Sequence, residues 1–429
     1  MRVLIVVWPL TSHLYPTLPL AYALQGAGHE VRIASHPSLT PAITGAGLNA
    51  VPLGTPQTIP SPTAVGDFML CEDHRERLAK ALAVDPAHEA DVWATLSTYT
   101  LASSRIFHPA DAGGTSGWGG VDDLVAVARD WQPDLVLWDP NWPGAAVAAR
   151  ACGAAQGRVL WGGDFLGWAD HRSSLHRDDL DAAGLDHPVT EIVRPAAERH
   201  GVEVDDELVL GQFTLDPNPA DMRLPSRART VPFRRIPYTG AAEVPDWLRS
   251  APARPRVALS LGVTQRMFDN DRVMIPALLD MVDGLDIEVV ATLDASQLVG
   301  QRLPDNVRTV DYLPLDLLLP SCSVIVHHGG IGTTAAAVAY RVPQLAVVDD
   351  RGIAYAPNAE YVMRHGAGLN VHPGHLSAEE MRAQLLRLLT EPSFREGARR
   401  VHADWLAMPS PGDTVPLLEK LVAHHRTQG

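Results

Sequence analysis

Cysteine is scarce: Cys71, Cys152 and Cys322 are the only three in 429 residues, and they form no C-x-x-C pair. That spacing points away from a disulfide framework and from a zinc knuckle. Positive charge is also short, with 35 Lys and Arg against 50 Asp and Glu, a net charge of −15. Such a chain is not built to hold nucleic acid or an anionic membrane surface. Any phosphate it binds has to be held locally, by backbone dipoles and a few side chains. No stretch approaches the roughly 18 apolar residues needed to span a bilayer. The apolar run at residues 2–8 is short, meets Pro9 at once and has no small-residue cleavage site after it. It reads as a buried first strand and not a signal peptide, so the expected location is cytoplasmic.

What is present is the composition of a globular protein, 46% hydrophobic and 20% charged, in a chain longer than one ordinary core. Apolar strands at 2–8, 31–35 and 49–53 alternate with helices near 17–25 and 41–45, after a loop at 9–16. Continuous apolar strands separated by amphipathic helices predict a parallel, doubly wound α/β sheet. The rhythm lapses over 55–120, where Met69, Trp93, Tyr99, Phe107 and Trp118 stand among glycines, prolines and polar residues, which suggests irregular helices and a long loop. It resumes with a helix near 122–131 and the strand 135–138. Clustered prolines mark 241–255 as a linker. A second unit of the same kind begins at Arg256, with strands at 288–291, 307–310 and 324–326. The expected division is 1–240, the linker, 256–410, and a closing segment 411–429 whose helix packs back on the first domain.

The segment Val324-Ile325-Val326-His327-His328-Gly329-Gly330-Ile331-Gly332-Thr333-Thr334 is the most specific in the chain. A strand empties into two histidines, a glycine turn and a helix start. Unpaired N–H groups there carry partial positive charge and suit a diphosphate. Gly330 and Gly332 would admit it to the main chain, with Thr333 and His328 as side-chain donors and His327 as a structural residue. Residues 330–335 also satisfy the G-x-G-x-x-A dinucleotide pattern, with Asp349 and Asp350 near the expected ribose acid. A NAD-dependent oxidoreductase therefore stays open at this point. The histidines between strand and glycines weigh against it, as does a first βαβ unit lacking any glycine fingerprint. Ligands of doubly wound sheets bind at the carboxyl ends of strands. That rule collects His13, Asp139 and His328 at strand exits, and Ser260, Gly262 and Thr264 at another.

His327 to Thr333 resembles the donor signature of the family-one, nucleotide-sugar-dependent glycosyltransferases, which have the GT-B fold of two facing Rossmann-like domains with a cleft between them. Ser12-His13-Leu14-Tyr15-Pro16-Thr17 and Gly28-His29-Glu30-Val31 resemble their N-terminal domain. Trp131-Gln132-Pro133-Asp134-Leu135-Val136-Leu137-Trp138-Asp139-Pro140 resembles the actinobacterial branch that places deoxysugars on polyketide antibiotics such as macrolides. The similarity runs from residue 2 to about 420.

The resemblance implies an inverting, metal-independent transfer from a dTDP- or UDP-sugar co-substrate, with no resident cofactor. His13 matches the family's base and Asp139 its orienting acid. A histidine, with an ordinary pKa near about 6.5, accepts a proton near neutrality. Asp139 could instead cap the helix after Pro143. The 328–333 turn, Ile331 and Gly332 included, would hold the diphosphate, and the Leu313 main chain would read the pyrimidine base. The family's sugar-binding acid pair before Asn-Ala has no clear counterpart in 349–359, which suits a donor with fewer hydroxyls, such as a deoxysugar. Trp142, Trp161 and Phe165, with Trp168, follow Asp139, the 55–120 region adds other aromatics, and together they suggest a wall for a hydrophobic aglycone. A haem-monooxygenase-like helper protein, a homodimer, and a non-catalytic auxiliary role all remain compatible with the resemblance.

Overall fold

A computed structural model describes residues 1–54, 69–106, 120–262, 274–348, 355–372 and 374–428. It falls into two units, Met1–Arg234 with Pro409–Gly429, and Arg235–Met408.

The first unit is built on strands β1 (Arg2–Val6), β2 (Glu30–Ser35), β3 (Asn49–Pro52), β4 (Leu135–Trp138), β5 (Ala155–Val159), β6 (Phe213–Asp216) and β7 (Thr230–Pro232). They pair in the order β3-β2-β1-β4-β5-β6-β7, every pair parallel. Helices cover both faces of such a sheet, so its central strands are apolar throughout. Leu4, Ile5 and Leu135 to Trp138 are accordingly buried. Strand order reverses between β1 and β4, which pair from Val3↔Leu135 to Val6↔Trp138. Their carboxyl ends form the crevice where this architecture places ligands.

The second unit has β8 (Arg256–Ser260), β9 (Glu288–Thr292), β10 (Val307–Val310), β11 (Val324–His327), β12 (Gln344–Val347) and β13 (Gly368–Val371). Their order is β10-β9-β8-β11-β12-β13, again parallel, with the reversal between β8 and β11.

Two segments differ from their expected form, and the described part of a third has the irregular helices expected of it. The loop expected over 9–16 coils into a helix at Thr11–Leu14 and a 3₁₀ turn at Tyr15–Thr17, running straight into the helix Leu18–Gly26. Burial of Leu10 and Leu14 drives this, and the Thr17 hydroxyl donates to Leu14 O at 2.7 Å. Within 55–120 the described part is helical: Glu72–Ala81, Ala90–Thr95 and Leu101–Arg105, the last two joined by a π-helical turn at Leu96–Thr100. Phe107 and Trp118 lie outside the described residues. The proline-rich stretch 241–255 packs on the second unit. Trp247 and Leu248 join the cluster of Leu313, Leu318 and Ile325, and the guanidinium groups of Arg256 and Arg308 lie 5.4 and 4.9 Å from the Trp247 ring centre.

The helix Pro411–Gln428 belongs to the first unit and packs on the helix Leu18–Gly26. His29 Nε2 pairs with Glu419 at 3.0 Å, and Gln212 Nε2 donates to His425 Nδ1 at 2.8 Å. Among the described residues, no helix is long and apolar enough to cross a membrane.

In the second unit the helix Pro392–Leu406 lies directly on the turn at Gly366. A methyl group on Gly397 would stand 2.0 Å from Gly366 O and 2.4 Å from its carbonyl carbon. Main chain cannot retreat cheaply, so Gly397→Ala is expected to cost about 1–3 kcal/mol in urea unfolding. At Gly26 the same methyl would meet nothing within 4 Å, and Gly26→Ala is the control. Equal stabilities for the two variants would remove this contact from the account of packing.

Candidate active site

The carboxylate of Asp139 stands where β1 and β4 release the chain. Its own N–H donates to Val6 O at 2.9 Å, which continues the β1–β4 ladder by one bond. Oδ1 accepts the Asn141 N–H at 2.9 Å, and Oδ2 accepts the Trp8 N–H at 3.2 Å and pairs with His13 Nδ1 at 2.7 Å. Both side chains are buried, His13 at 2% exposure and Asp139 at 5%. An ionised carboxylate can only accept, so Nδ1 carries the proton and Nε2 presents its lone pair. The helix Gly144–Cys152 has Pro143 at its N-cap and no side-chain cap. Asp139 therefore orients His13 and does not cap that helix.

Aromatic rings surround the imidazole. Trp161 packs at 4.5 Å between ring centres and Trp8 at 5.4 Å, while the Tyr99 hydroxyl lies 3.1 Å from Nε2. Phe165 stands behind Trp161 at 6.5 Å. The wall is held by an ion pair: Arg158, fully buried, grips both oxygens of Asp164 at 2.7 Å, and Asp164 Oδ1 accepts the Gly167 N–H at 2.8 Å to cap the helix Phe165–Leu175. Trp142, expected on this wall, is instead wholly buried in the core with Trp138 and Ala146, leaving it no surface for a ligand. Trp168 is likewise a core residue. Trp8 was not among the expected residues, and Tyr99 was expected only as one of several aromatics from 55–120. Trp8 had a signal, since it directly follows β1 at a ligand-bearing strand end; Tyr99 sits in a helical stretch without a motif.

In the second unit, β11 delivers two histidines into different surroundings. His327 Nδ1 accepts the Gly329 N–H at 3.1 Å, so Nε2 carries the proton and donates to Gln344 Oε1 at 3.0 Å. Burial, with the neighbouring His328, pushes its pKa down to about 3. His327 is thus a structural residue, neutral and fully hydrogen-bonded. His328 lies between two glycines: a methyl on Gly262 would come within 2.4 Å of its Cε1, and one on Gly330 within 2.3 Å of its Nε2. Tyr355 packs edge-on at 4.8 Å, and burial pushes the pKa down to about 4. Nδ1 is buried with no hydrogen-bond partner.

Gly329 turns the chain at φ +85°, a left-handed conformation that favours glycine, and Asn358 Nδ2 donates to its carbonyl at 2.9 Å. The helix Ile331–Ala339 follows with Gly330 as an N-cap that has no side chain to satisfy it. The first-turn N–H groups, those of Ile331, Gly332 and Thr333, therefore have no helical acceptor. Gly332 is exposed with open space above it, whereas Thr333 is buried. Among the described residues nothing caps this positive helix end, which stands beside a neutral imidazole, an arrangement suited to an anion.

Other expected donor residues are less available. The Ser260 hydroxyl accepts from Thr292 Oγ1 at 3.0 Å. Leu313 buries its side chain in the cluster around Leu318, and its main-chain groups form no backbone hydrogen bond among the described residues. Tyr312 beside it donates its hydroxyl to Thr239 O. Thr264 and residues 349–354, which include Asp349 and Asp350, lie outside the described residues.

Comparison with known proteins places this geometry. The N-terminal domain of the erythromycin biosynthesis protein CIII-like family matches residues 22–262, and its C-terminal domain matches 276–421. The chain is 41% identical to aclacinomycin-T 2-deoxy-L-fucose transferase of Streptomyces galilaeus, over 99% of this chain and 97% of that protein. It is also 41% identical to 10-deoxymethynolide desosaminyltransferase of Streptomyces venezuelae, over 99% and 98%. Among solved structures, the spinosyn forosaminyltransferase SpnP superposes with a TM-score of 0.81 at 36% identity, covering 99% of each chain. The glycosyltransferase VinC in complex with dTDP superposes at 0.77 with 36% identity, covering 99% of this chain and 100% of that one. Both units are thus the Rossmann-like halves of a GT-B enzyme, and the dinucleotide reading of residues 330–335 gives way to a nucleotide-sugar one. Matched in both halves and along nearly its whole length, the chain belongs to the erythromycin biosynthesis protein CIII-like family of glycosyltransferases.

Proposed function

We propose that the enzyme moves a deoxysugar from dTDP to a hydroxyl of a polyketide-like aglycone, with inversion at the anomeric carbon. The observation that carries this reading is the buried His13–Asp139 pair, whose Nε2 lies among aromatic rings with the Tyr99 hydroxyl against it. In one displacement the acceptor oxygen bonds to the anomeric carbon, the bond to the diphosphate breaks, and the acceptor proton passes to His13 Nε2. Asp139 stabilises the imidazolium that forms. The leaving diphosphate settles on the helix end at 331–333 with His328 beside it, and the Leu313 main chain reads the base. Support for dTDP and a deoxysugar comes from VinC, solved with dTDP, and from the transferases that share 41% of the sequence. The same intact pair favours an enzyme over a non-catalytic auxiliary protein.

His13→Ala is expected to lower kcat/KM by about 10²–10⁴, the range for general-base assistance, while dTDP binding persists. Asp139→Asn would also lower turnover, because an amide N–H directed at Nδ1 favours the wrong tautomer. Unchanged turnover in either variant would remove that residue from the mechanism.

The donor is tested by thermal unfolding with dTDP, UDP and NAD in parallel. A ligand at about 100 times its Kd adds roughly 2.7 kcal/mol. Stabilisation by dTDP but not NAD is expected; stabilisation by NAD alone would overturn the reading.

His328 would meet the diphosphate as a neutral donor, since it stays unprotonated down to about pH 4. The unfolded chain takes up protons on both histidines near pH 6.5, which the folded chain does not do until about pH 4 and about pH 3. Stability is therefore lost as pH falls below about 6.5, by up to about 1.4 kcal/mol per pH unit for each histidine. Urea unfolding between pH 7 and pH 5 measures the slope, and His327→Gln is expected to flatten it. An unaltered slope would mean that His327 titrates normally in the fold.

A further inference from the structure

Among the described residues, Tyr99 is the one that places a hydroxyl on Nε2 of the base. Asp139 holds Nδ1 at 2.7 Å, which leaves His13 a single lone pair, on Nε2. The ring's surroundings are taken by Trp161 at 4.5 Å and Trp8 at 5.4 Å, both tilted by 41°. The Tyr99 hydroxyl stands at the remaining edge, 3.1 Å from Nε2, and with Nδ1 protonated it is the donor. The Tyr99 ring is set edge-on to both tryptophans, at 6.2 Å from Trp8 and 6.1 Å from Trp161. A lone pair accepts one such donor at a time, so an acceptor hydroxyl can be activated only by displacing that of Tyr99.

We propose that Tyr99 caps the base of the resting enzyme and keeps it from activating water against a bound nucleotide sugar. The proposal rests on the transferase reading above. Without a cap, water would follow the acceptor's path: its oxygen bonds to the anomeric carbon, the bond to the diphosphate breaks, and its proton goes to His13 Nε2. The products are free sugar and dTDP, and the donor is wasted. A water molecule has little apolar surface with which to displace an aromatic ring seated between two tryptophans. A hydrophobic aglycone brings such surface along with its hydroxyl, so the cap discriminates between the two nucleophiles. The local backbone suits a residue that must shift. Tyr99 lies in the π-helical turn Leu96–Thr100, a rare geometry that recurs at functional sites. In the same turn the buried hydroxyls of Ser97 and Thr100 have no hydrogen-bond partner, while Thr98 Oγ1 donates to Ala94 O at 2.7 Å.

Tyr99→Phe removes the hydroxyl and keeps the ring. The first readout needs no donor: the rate at which diethylpyrocarbonate modifies His13, followed by peptide mapping. Loss of one neutral hydrogen bond to Nε2 is expected to speed modification about two- to tenfold, at an unchanged melting midpoint. An equal rate in the two proteins overturns the cap, whatever the enzyme transfers. The second readout is dTDP release from dTDP-2-deoxy-L-fucose without aglycone. The ratio of this idle release to transfer is expected to rise in Tyr99→Phe, and idle release to vanish in the His13→Ala, Tyr99→Phe double variant. A ratio that stays constant or falls overturns the proposal. Faster modification of His13 with no dTDP release from any variant would uphold the cap on the base and fault the donor reading instead.

Discussion

Three N–H groups converge on the carboxylate of Asp139, and the acceptor half of the enzyme depends on that convergence. The Trp8 main chain fixes the exit of β1, the Asn141 main chain fixes the exit of β4, and His13 Nδ1 takes the remaining direction. One side chain thus locks two neighbouring strand ends together and sets a tautomer. Burying a charge is costly unless hydrogen bonds compensate it, and here both oxygens are engaged. The buried position that makes Asp139 expensive also keeps water from competing for the imidazole. The aromatic wall needs its own anchor, supplied by the fully buried Arg158 gripping Asp164 at the head of the helix that carries Phe165.

The second unit offers a different kind of site, one suited to an anion in a protein of net charge −15. It uses geometry where a basic cluster might have been expected. Gly262 and Gly330 are small because the His328 ring fills the space where their side chains would be. Gly329 is glycine because the chain turns there at positive φ. His327 is consumed in fastening the turn to β12 through Gln344. Two adjacent histidines therefore have unrelated surroundings, one tying strands together and one packed between two glycines at the start of the helix Ile331–Ala339. Both are neutral near pH 7 because burial opposes their charge.

Much of this was legible in the sequence. Buried parallel strands must be apolar over their whole length, which made β1, β4 and β11 plain to read. Residues at their carboxyl ends, His13, Asp139 and His328, inherit a position from the strand itself. What could not be read depends on contacts between distant segments. Trp142 and Trp161 look alike in sequence, yet one is sealed in the core and the other packs on His13. Tyr99 meets His13 across 86 positions from a helical stretch with no motif. Trp247 turned a proline-rich stretch into part of the second unit because its ring packs on the core cluster and against two arginines, which no local pattern announces.

The helix Pro411–Gln428 completes the first unit, although the whole of the second unit is encoded between them. During synthesis the acceptor half must therefore wait, its helix Leu18–Gly26 and the His29 ring uncovered, while some 174 residues of the other half (235 to 408) leave the ribosome. The donor half is continuous and can close on its own. The order of synthesis is thus the reverse of the order of completion: the half begun first is finished last, and a chain cut short before residue 411 would present a finished nucleotide unit joined to an acceptor unit missing a wall.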